Sequence, residues 1–136
     1  MTLTDTGPLV ALLDRGDARH ADCTAALKRL PSGALLTTWP CFTEAMYLLG
    51  SVGGHAYQAT LWKMRSEKKV VLHDLAPAEI NRMEELMEKY ADTPMDFADA
   101  SLVATAESGS LSRVFSIDSD FRVYRLRSGR ALDVVP

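Results

Sequence analysis

Four carboxylates, Asp5, Glu44, Asp99 and Asp118, are the residues of this chain whose types and settings point most directly to chemistry. Asp5 and Asp118 close short apolar runs that read as strands. Glu44 and Asp99 interrupt otherwise apolar segments that read as helices. Acids buried near one another repel and are costly to keep charged unless a cation offsets them. A set of that kind is what Mg²⁺-dependent phosphodiester chemistry uses, because a hard divalent ion takes oxygen ligands and stabilises charge at phosphorus.

The elements that must position these acids alternate along the chain. Leu3-Thr4 begins a strand ending at Asp5, and Pro8 suits the first turn of a helix through Leu9, Val10, Leu12 and Leu13. Asp17 is a candidate cap for a second helix over Ala21, Ala25, Ala26 and Leu30, and Pro31-Ser32-Gly33 is a turn. A strand over Ala34 to Thr37 follows, then a helix capped by Thr38 that carries Phe42, Ala45, Met46 and Leu49. The glycine-rich run from Gly50 to Gly54 ends that helix as a C-cap and hinge. Because the run follows a helix, it is a poor phosphate loop. His55 to Glu67 reads as a further helix, Val70 to His73 as a strand and Pro77 to Tyr90 as an amphipathic helix. After Thr93-Pro94, Asp96 to Ser108 is nearly all apolar and should be central. Arg113 to Ile117 and Leu132 to Val135 read as the last strands, with a short helical turn after Asp118. This alternation predicts one α/β domain over residues 1–136, a three-layer sandwich with a mainly parallel sheet of four to five strands flanked by helices. Ligands of such sheets bind beyond the carboxyl ends of the strands, where Asp5 and Asp118 fall.

Each acid also has a structural explanation. Asp5 can cap the helix near Pro8, and Glu44 can be an early-turn acid favoured by the helix dipole or simply an exposed one. Asp96 can cap its helix with Asp99 as the reciprocal acid, and turn chemistry accounts for one of Asp118 and Asp120. The combination is the stronger argument. Acids from two strand ends and two helices can meet only above the carboxyl edge of the sheet.

Composition excludes some classes and leaves others open. The chain has 136 residues, 47% hydrophobic and 24% charged, ordinary for a soluble domain. No apolar run reaches the roughly 18 residues of a membrane span, and the start lacks a basic leader, so Met1 reads as the native start of a cytoplasmic protein. A formal charge of −3 argues against a nucleic-acid binder when taken alone. The cations are unevenly placed, however. Arg113, Arg122, Arg125, Arg127 and Arg130 crowd the last quarter, and Lys63, Arg65, Lys68 and Lys69 form a second set. Lys63, Arg65, Arg122 and Arg125 are the candidates for phosphate contacts; for any one of them a solvated surface charge is the competing account. Cys23 and Cys41 form no CxxC pair and read as reduced, partly buried thiols, and His20, His55 and His73 show no zinc spacing. No Gly-x-Ser-x-Gly elbow supports a serine nucleophile.

Asp5-Thr6-Gly7-Pro8-Leu9-Val10-Ala11-Leu12-Leu13-Asp14 resembles the opening of PIN-domain ribonucleases of the VapC toxin type. Thr43-Glu44 before an apolar helix resembles their second acidic block. The run from Pro94 to Ala104, with Asp96 and Asp99, is similar to their third, and Ser116-Ile117-Asp118-Ser119-Asp120-Phe121 to their fourth. Ser116 stands where the family commonly has threonine and keeps the hydroxyl. The resemblance spans essentially the whole chain, in order. It implies a compact parallel sheet, Mg²⁺ with Mn²⁺ as substitute, endonucleolytic RNA cleavage leaving a 5′-phosphate and a 3′-hydroxyl, frequent homodimers and a cognate antitoxin protein. It assigns Asp5, Glu44, Asp99 and Asp118 to the acidic quartet, with Asp96 and Asp120 as extra acids of variable role. On this reading Asp5 and Asp99 hold the first ion with Asp118 beside them. Glu44 orients a water or helps to hold a second ion, and Thr6 and Ser116 hydrogen-bond a carboxylate or the scissile phosphate. Two other readings stand beside it. One is an aspartyl-nucleophile phosphatase using Asp118 and Asp120; the other is a non-catalytic module of the same fold that docks a partner on its apolar helices.

Overall fold

Parallel strands joined by helices form a sheet that is covered on both faces. The computed structural model, which describes residues 1–136, shows that arrangement. Its strands are β1 (Thr2–Thr4), β2 (Leu35–Thr38), β3 (Val70–His73), β4 (Arg113–Phe115) and β5 (Asp133–Val135). They form one sheet in the order β3-β2-β1-β4-β5, and every pairing is parallel. Leu3 stands opposite both Leu36 and Val114, so β1 is the central strand.

The period-two alternation of each strand feeds two separate cores. Leu35, Val70 and Phe115 point to one face, where they pack with Leu9, Cys23, Phe42, Leu49 and Leu61. These residues come from α1 (Thr6–Leu13), α2 (His20–Arg29) and α3 (Trp39–Ser66). Leu3, Leu36 and Val114 point to the other face, against Met83, Leu86, Leu102 and Val103 of α4 (Pro77–Lys89) and α5 (Phe97–Ser108). Phe121 and Tyr124, from the segment after β4, complete this second core. The three-layer sandwich expected from the sequence is therefore present, with the sheet parallel throughout.

The differences from expectation are local. Helix α1 starts at Thr6, slightly before Gly7-Pro8, with Pro8 in its first turn and Asp5 as the expected N-cap. Asp17 does not cap α2; it accepts the Arg19 N–H at 2.8 Å in a turn before the helix begins at His20. The helices expected on either side of the glycine run form one hydrogen-bonded span, α3, broken at Gly54, whose φ of 65° only glycine adopts without strain. The break is a sharp reversal. Phe42 and Trp62 have ring centroids 5.2 Å apart, whereas twenty residues of straight helix would separate them by about 30 Å. Gln58 Nε2 donates to the Met46 carbonyl across the bend at 3.3 Å. No helix is long and apolar enough to cross a membrane.

Candidate metal centre

The direction of chain travel reverses between β1 and β4. The chain moves outward from β1 through β2 to β3, then returns to the other side of β1 with β4 and β5. The crevice beyond the carboxyl ends of two such strands is where parallel sheets bind ligands. Asp5 follows β1 and Asp118 follows β4 by three residues. Gly7 lets the two chain ends close up, since a Cβ there would lie 2.7 Å from Ile117 Cγ1.

Asp5 serves its helix and the crevice at once. Its carboxylate accepts the Thr6 N–H at 2.7 Å, capping α1, and the Ser116 hydroxyl at 2.8 Å. The Ser116 oxygen in turn accepts the Asp118 N–H at 3.0 Å. Asp118 accepts the Asp120 N–H at 2.9 Å, heading the short 3-10 turn Ser119–Arg122. Asp99, in the first turn of α5, forms a reciprocal cap with Asp96: the Asp99 N–H donates to Asp96 Oδ1 at 2.7 Å and the Asp96 N–H to Asp99 Oδ2 at 3.4 Å. The Tyr124 hydroxyl also donates to Asp99 Oδ2, at 2.9 Å.

These local structures bring one carboxylate oxygen from each of Asp5, Asp99 and Asp118 within 4.8 Å of one another. The oxygens face a cavity of about 230 Å³ lined by Asp5, Thr6, Gly7, Glu44, Leu48, Asp96, Asp99, Ile117 and Asp118. Glu44, in the second turn of α3, and Asp96 stand on the exposed rim, outside the set of three. Asp120 is not among the lining residues. Thr6 lines the cavity and donates its hydroxyl to the Cys41 carbonyl at 3.3 Å.

Burial, only partly offset by hydrogen bonds, defines the electrostatics. Asp5 is 7% exposed and Asp99 5%. Burial pushes the Asp5 carboxyl up to about 6 against the hydrogen bonds from Ser116 and Thr6, and the charges of Asp118 and Asp96 add to the rise. Burial, then the neighbouring Asp96 charge, pushes Asp99 up to about 7, with the Tyr124 hydrogen bond opposing. Glu44 is raised by burial and by Asp96. Burial and the Asp99 charge push the Tyr124 phenol above its ordinary value, so it stays a donor at neutral pH. The Cys41 thiol, 3.9 Å from Asp5, is pushed up to about 12 by burial and the Asp5 charge, which leaves it inert as a nucleophile. Every ion pair of the protein lies elsewhere; no lysine, arginine or histidine pairs with Asp5, Glu44, Asp96, Asp99 or Asp118. An all-oxygen, acid-rich donor set with no cation of its own fits Mg²⁺ or Mn²⁺ and suits a soft metal poorly.

The candidate phosphate contacts do not gather at this site. Lys63 and Arg65 lie in the last turn of α3, which hands the chain to the start of β3, where the Lys69 carbonyl accepts the Leu35 N–H at 2.9 Å. That is the amino edge of the sheet, opposite the carboxylates, where a helix running into a parallel strand has to end. Arg125 turns back on its own segment, Nη1 donating to the carbonyls of Arg122, Val123 and Tyr124 at 2.7, 3.0 and 3.1 Å. Arg122 remains an exposed cation close in sequence to Asp118. Tyr124 escaped the sequence reading. Its only signal was a phenol in a segment where apolar residues alternate with arginines, Phe121 to Arg127, and a phenol that is buried needs a hydrogen-bond partner. Two histidines are engaged away from the site: His20 Nδ1 meets the Ala11 carbonyl at 2.6 Å, and His73 pairs with Glu79 at 2.8 Å.

The architecture is shared with known structures. Mycobacterium tuberculosis VapC20, a toxin that cleaves the sarcin–ricin loop, superposes over 100% of both chains with a TM-score of 0.85 and 20% identity. VapBC2 from Rickettsia felis, bound to a DNA fragment from its promoter, matches over 98% of this chain and 96% of its own at TM-score 0.69 and 12% identity. A toxin–antitoxin complex from Klebsiella pneumoniae matches over 89% and 90% at TM-score 0.63 and 18% identity. At these identities the likeness establishes the fold. No curated protein sequence matches the chain. The family model of the PIN domain matches residues 2–126, nearly the whole chain and all of the acidic cluster, and the protein belongs to the PIN domain family.

Proposed function

We propose that the protein is a Mg²⁺-dependent endoribonuclease, with Mn²⁺ able to substitute, and that it acts as the toxin of a toxin–antitoxin pair in the cytoplasm. The observation that carries the reading is the convergence of Asp5, Asp99 and Asp118 within 4.8 Å, the first two buried and the third half-buried, with no cation partner. Asp5, Asp99 and Asp118 would hold the ion, with Glu44 at the rim. When bound, the ion supplies Lewis-acid stabilisation of charge on the phosphate oxygens and lowers the pKa of the attacking water. The chain's own groups do the rest. The Ser116 hydroxyl fixes the Asp5 carboxylate and, through its oxygen, the Asp118 backbone. Glu44, with its carboxyl raised by burial, is the group set to orient the attacking water and accept its proton. Thr6 lines the cavity, and its hydroxyl, which donates to the Cys41 carbonyl, would have to turn from that carbonyl to donate to the scissile phosphate. In-line attack by the water with the P–O3′ bond breaking, the departing 3′-oxygen taking a proton from solvent, would leave a 5′-phosphate and a 3′-hydroxyl.

The purified chain, assayed on defined RNAs, should cleave internally with Mg²⁺ or Mn²⁺ and stop with chelator. A sarcin–ricin-loop oligonucleotide is the first substrate to try, given the fold shared with VapC20. Failure to cut any RNA, together with no gain of thermal stability from Mn²⁺, would favour the non-catalytic module, which needs no ion. The phosphatase reading has less support. Gly7 occupies the position two residues after Asp5 where such enzymes carry their second acid, and Asp120 does not line the cavity. An antitoxin partner and a homodimer belong to the same proposal. Toxicity on expression that a neighbouring small protein relieves, and sedimentation of the purified chain, test them in turn.

A further inference from the structure

One nine-residue segment touches all three converging carboxylates. Ser116 donates to Asp5, Asp118 supplies its own carboxylate, and Tyr124 donates to Asp99. The Ser116 and Asp118 contacts belong to the strand-end block already described. Tyr124 is separate: it lies beyond the 3-10 turn and reaches an acid on a different element, 25 residues away in sequence.

Three observations give that contact a directional role. The phenol ring is held rigidly, 2% exposed, with edge-to-face packing on Tyr90 at 5.1 Å and on Phe121 at 5.4 Å between centroids. Its hydroxyl bonds only Asp99 Oδ2, the oxygen that also takes the Asp96 N–H. Asp99 Oδ1 has no hydrogen-bond partner in the protein, so both restraints fall on one oxygen and leave the other unclaimed. A carboxylate held in this way loses little rotamer freedom on ligating an ion, and it resists swinging away from the like charges of Asp5 and Asp118.

We infer that Tyr124 is a positioning residue of the acidic centre, fixing Asp99 through Oδ2 so that Oδ1 is presented to a divalent cation. The inference rests on the metal-dependent reading above and extends it to a residue outside the acidic set. Groups that orient a ligand in this manner typically set metal affinity by 10- to 100-fold.

The test uses the full chain, with Mn²⁺ as the probe and free-ion electron paramagnetic resonance as the readout. Tyr124→Phe keeps the ring and its packing and removes only the donor. It should bind Mn²⁺ about tenfold or more weakly, with an unchanged circular dichroism spectrum. RNA cleavage should lose turnover at fixed Mn²⁺ while KM for RNA holds, and recover as Mn²⁺ is raised. Tyr90→Phe is the control. It removes a hydroxyl from the same aromatic stack, one that accepts the Arg125 N–H at 2.7 Å and touches no acid, so Mn²⁺ affinity should stay at the wild-type value. An equal loss in both variants would mean that loosening of the segment, and not the Asp99 contact, is responsible, and would overturn the inference. So would wild-type affinity in Tyr124→Phe. In an Asp99→Asn background the same Tyr-to-Phe change should leave the residual Mn²⁺ affinity untouched; a further tenfold loss there would contradict the assignment. If the wild-type chain takes up no Mn²⁺ at all, the metal reading itself falls and this inference with it, an outcome distinct from failure of the Tyr124 variants alone.

Discussion

Two regions of the protein bury carboxylates, and they resolve the cost in opposite ways. Glu79, in the first turn of α4, is 8% exposed, comparable to Asp5 and Asp99. Burial pushes its carboxyl up, but hydrogen bonds from the Ser108 hydroxyl, the Ala76 N–H and His73 outweigh that effect and hold it below its ordinary value. At the carboxyl edge of the sheet the balance is reversed. Asp5 and Asp99 have hydrogen-bond donors too, yet burial and mutual repulsion win and both carboxyls rise. Glu79 has the imidazole of His73 beside it, whereas the cluster faces only more acids. A satisfied buried acid is a structural element. A set of three acids that repel one another beside a cavity, with no cation partner, is poised for a ligand carrying positive charge.

The sharpest way to break this contrast is to neutralise acids in each region. Asp5→Asn and Asp99→Asn should each reduce RNA cleavage by more than about a hundredfold, since loss of a ligand exceeds the 10- to 100-fold effect of altering its support. For Asp99→Asn the metal-free protein should melt no lower than wild type at pH 7.5, because a repelling charge has been removed. Thermal denaturation beside a cleavage assay checks both. Glu44→Gln should cost on the order of a hundredfold in turnover, with Mn²⁺ affinity largely kept, because Glu44 stands on the rim and acts on the water and not chiefly on the ion. Glu79→Gln should do the reverse. It should lower stability by about 1–3 kcal/mol as buried partners lose their acceptor, measured by urea denaturation, and leave turnover per folded molecule unchanged.

A pH series sharpens the same comparison with a smaller effect. Asp5 and Asp99 have folded-state values of about 6 and about 7, above the ordinary aspartate value of 3.8. Between those limits the folded state binds more protons than the unfolded chain, so stability falls as pH rises. The contribution is complete below about 4 and is lost as pH climbs through 6 to 7. Metal-free protein should therefore lose melting temperature across that window from these two groups, and saturating Mn²⁺ should restore it at neutral pH. Glu79, with its lowered value, has the opposite sign: its contribution is present above the ordinary glutamate range and is lost on acidification. Comparing the pH profile of Glu79→Gln with that of Asp99→Asn separates the two.

Much of this was legible in the residues, for reasons that differ by element. Alternating strands and helices fixed the layer architecture, because parallel strands joined by helices form a sheet covered on both faces. Convergence of Asp5, Asp99 and Asp118 followed from strand ends and a helix start sharing one edge. Treating Asp5 as either a cap or a site residue was a false choice, since its two oxygens let one carboxylate do both. The glycine run signalled a break, which falls at Gly54, but not the reversal that stacks Trp62 on Phe42; that depends on packing between distant residues. The same limit hid the Tyr124–Asp99 contact, which leaves no periodic trace in the sequence, whereas the far-edge placement of Lys63 and Arg65 was legible, since a helix running into a parallel strand ends at the amino edge.

The central claim is that Asp5, Asp99 and Asp118 form one seat for a divalent cation. Crystals soaked in Mn²⁺ and measured at the manganese absorption edge test it most directly. The account predicts an anomalous peak within ligand distance, about 2.0–2.3 Å, of oxygens from these carboxylates. A map with no peak there, or with its strongest peak against other residues, would contradict it.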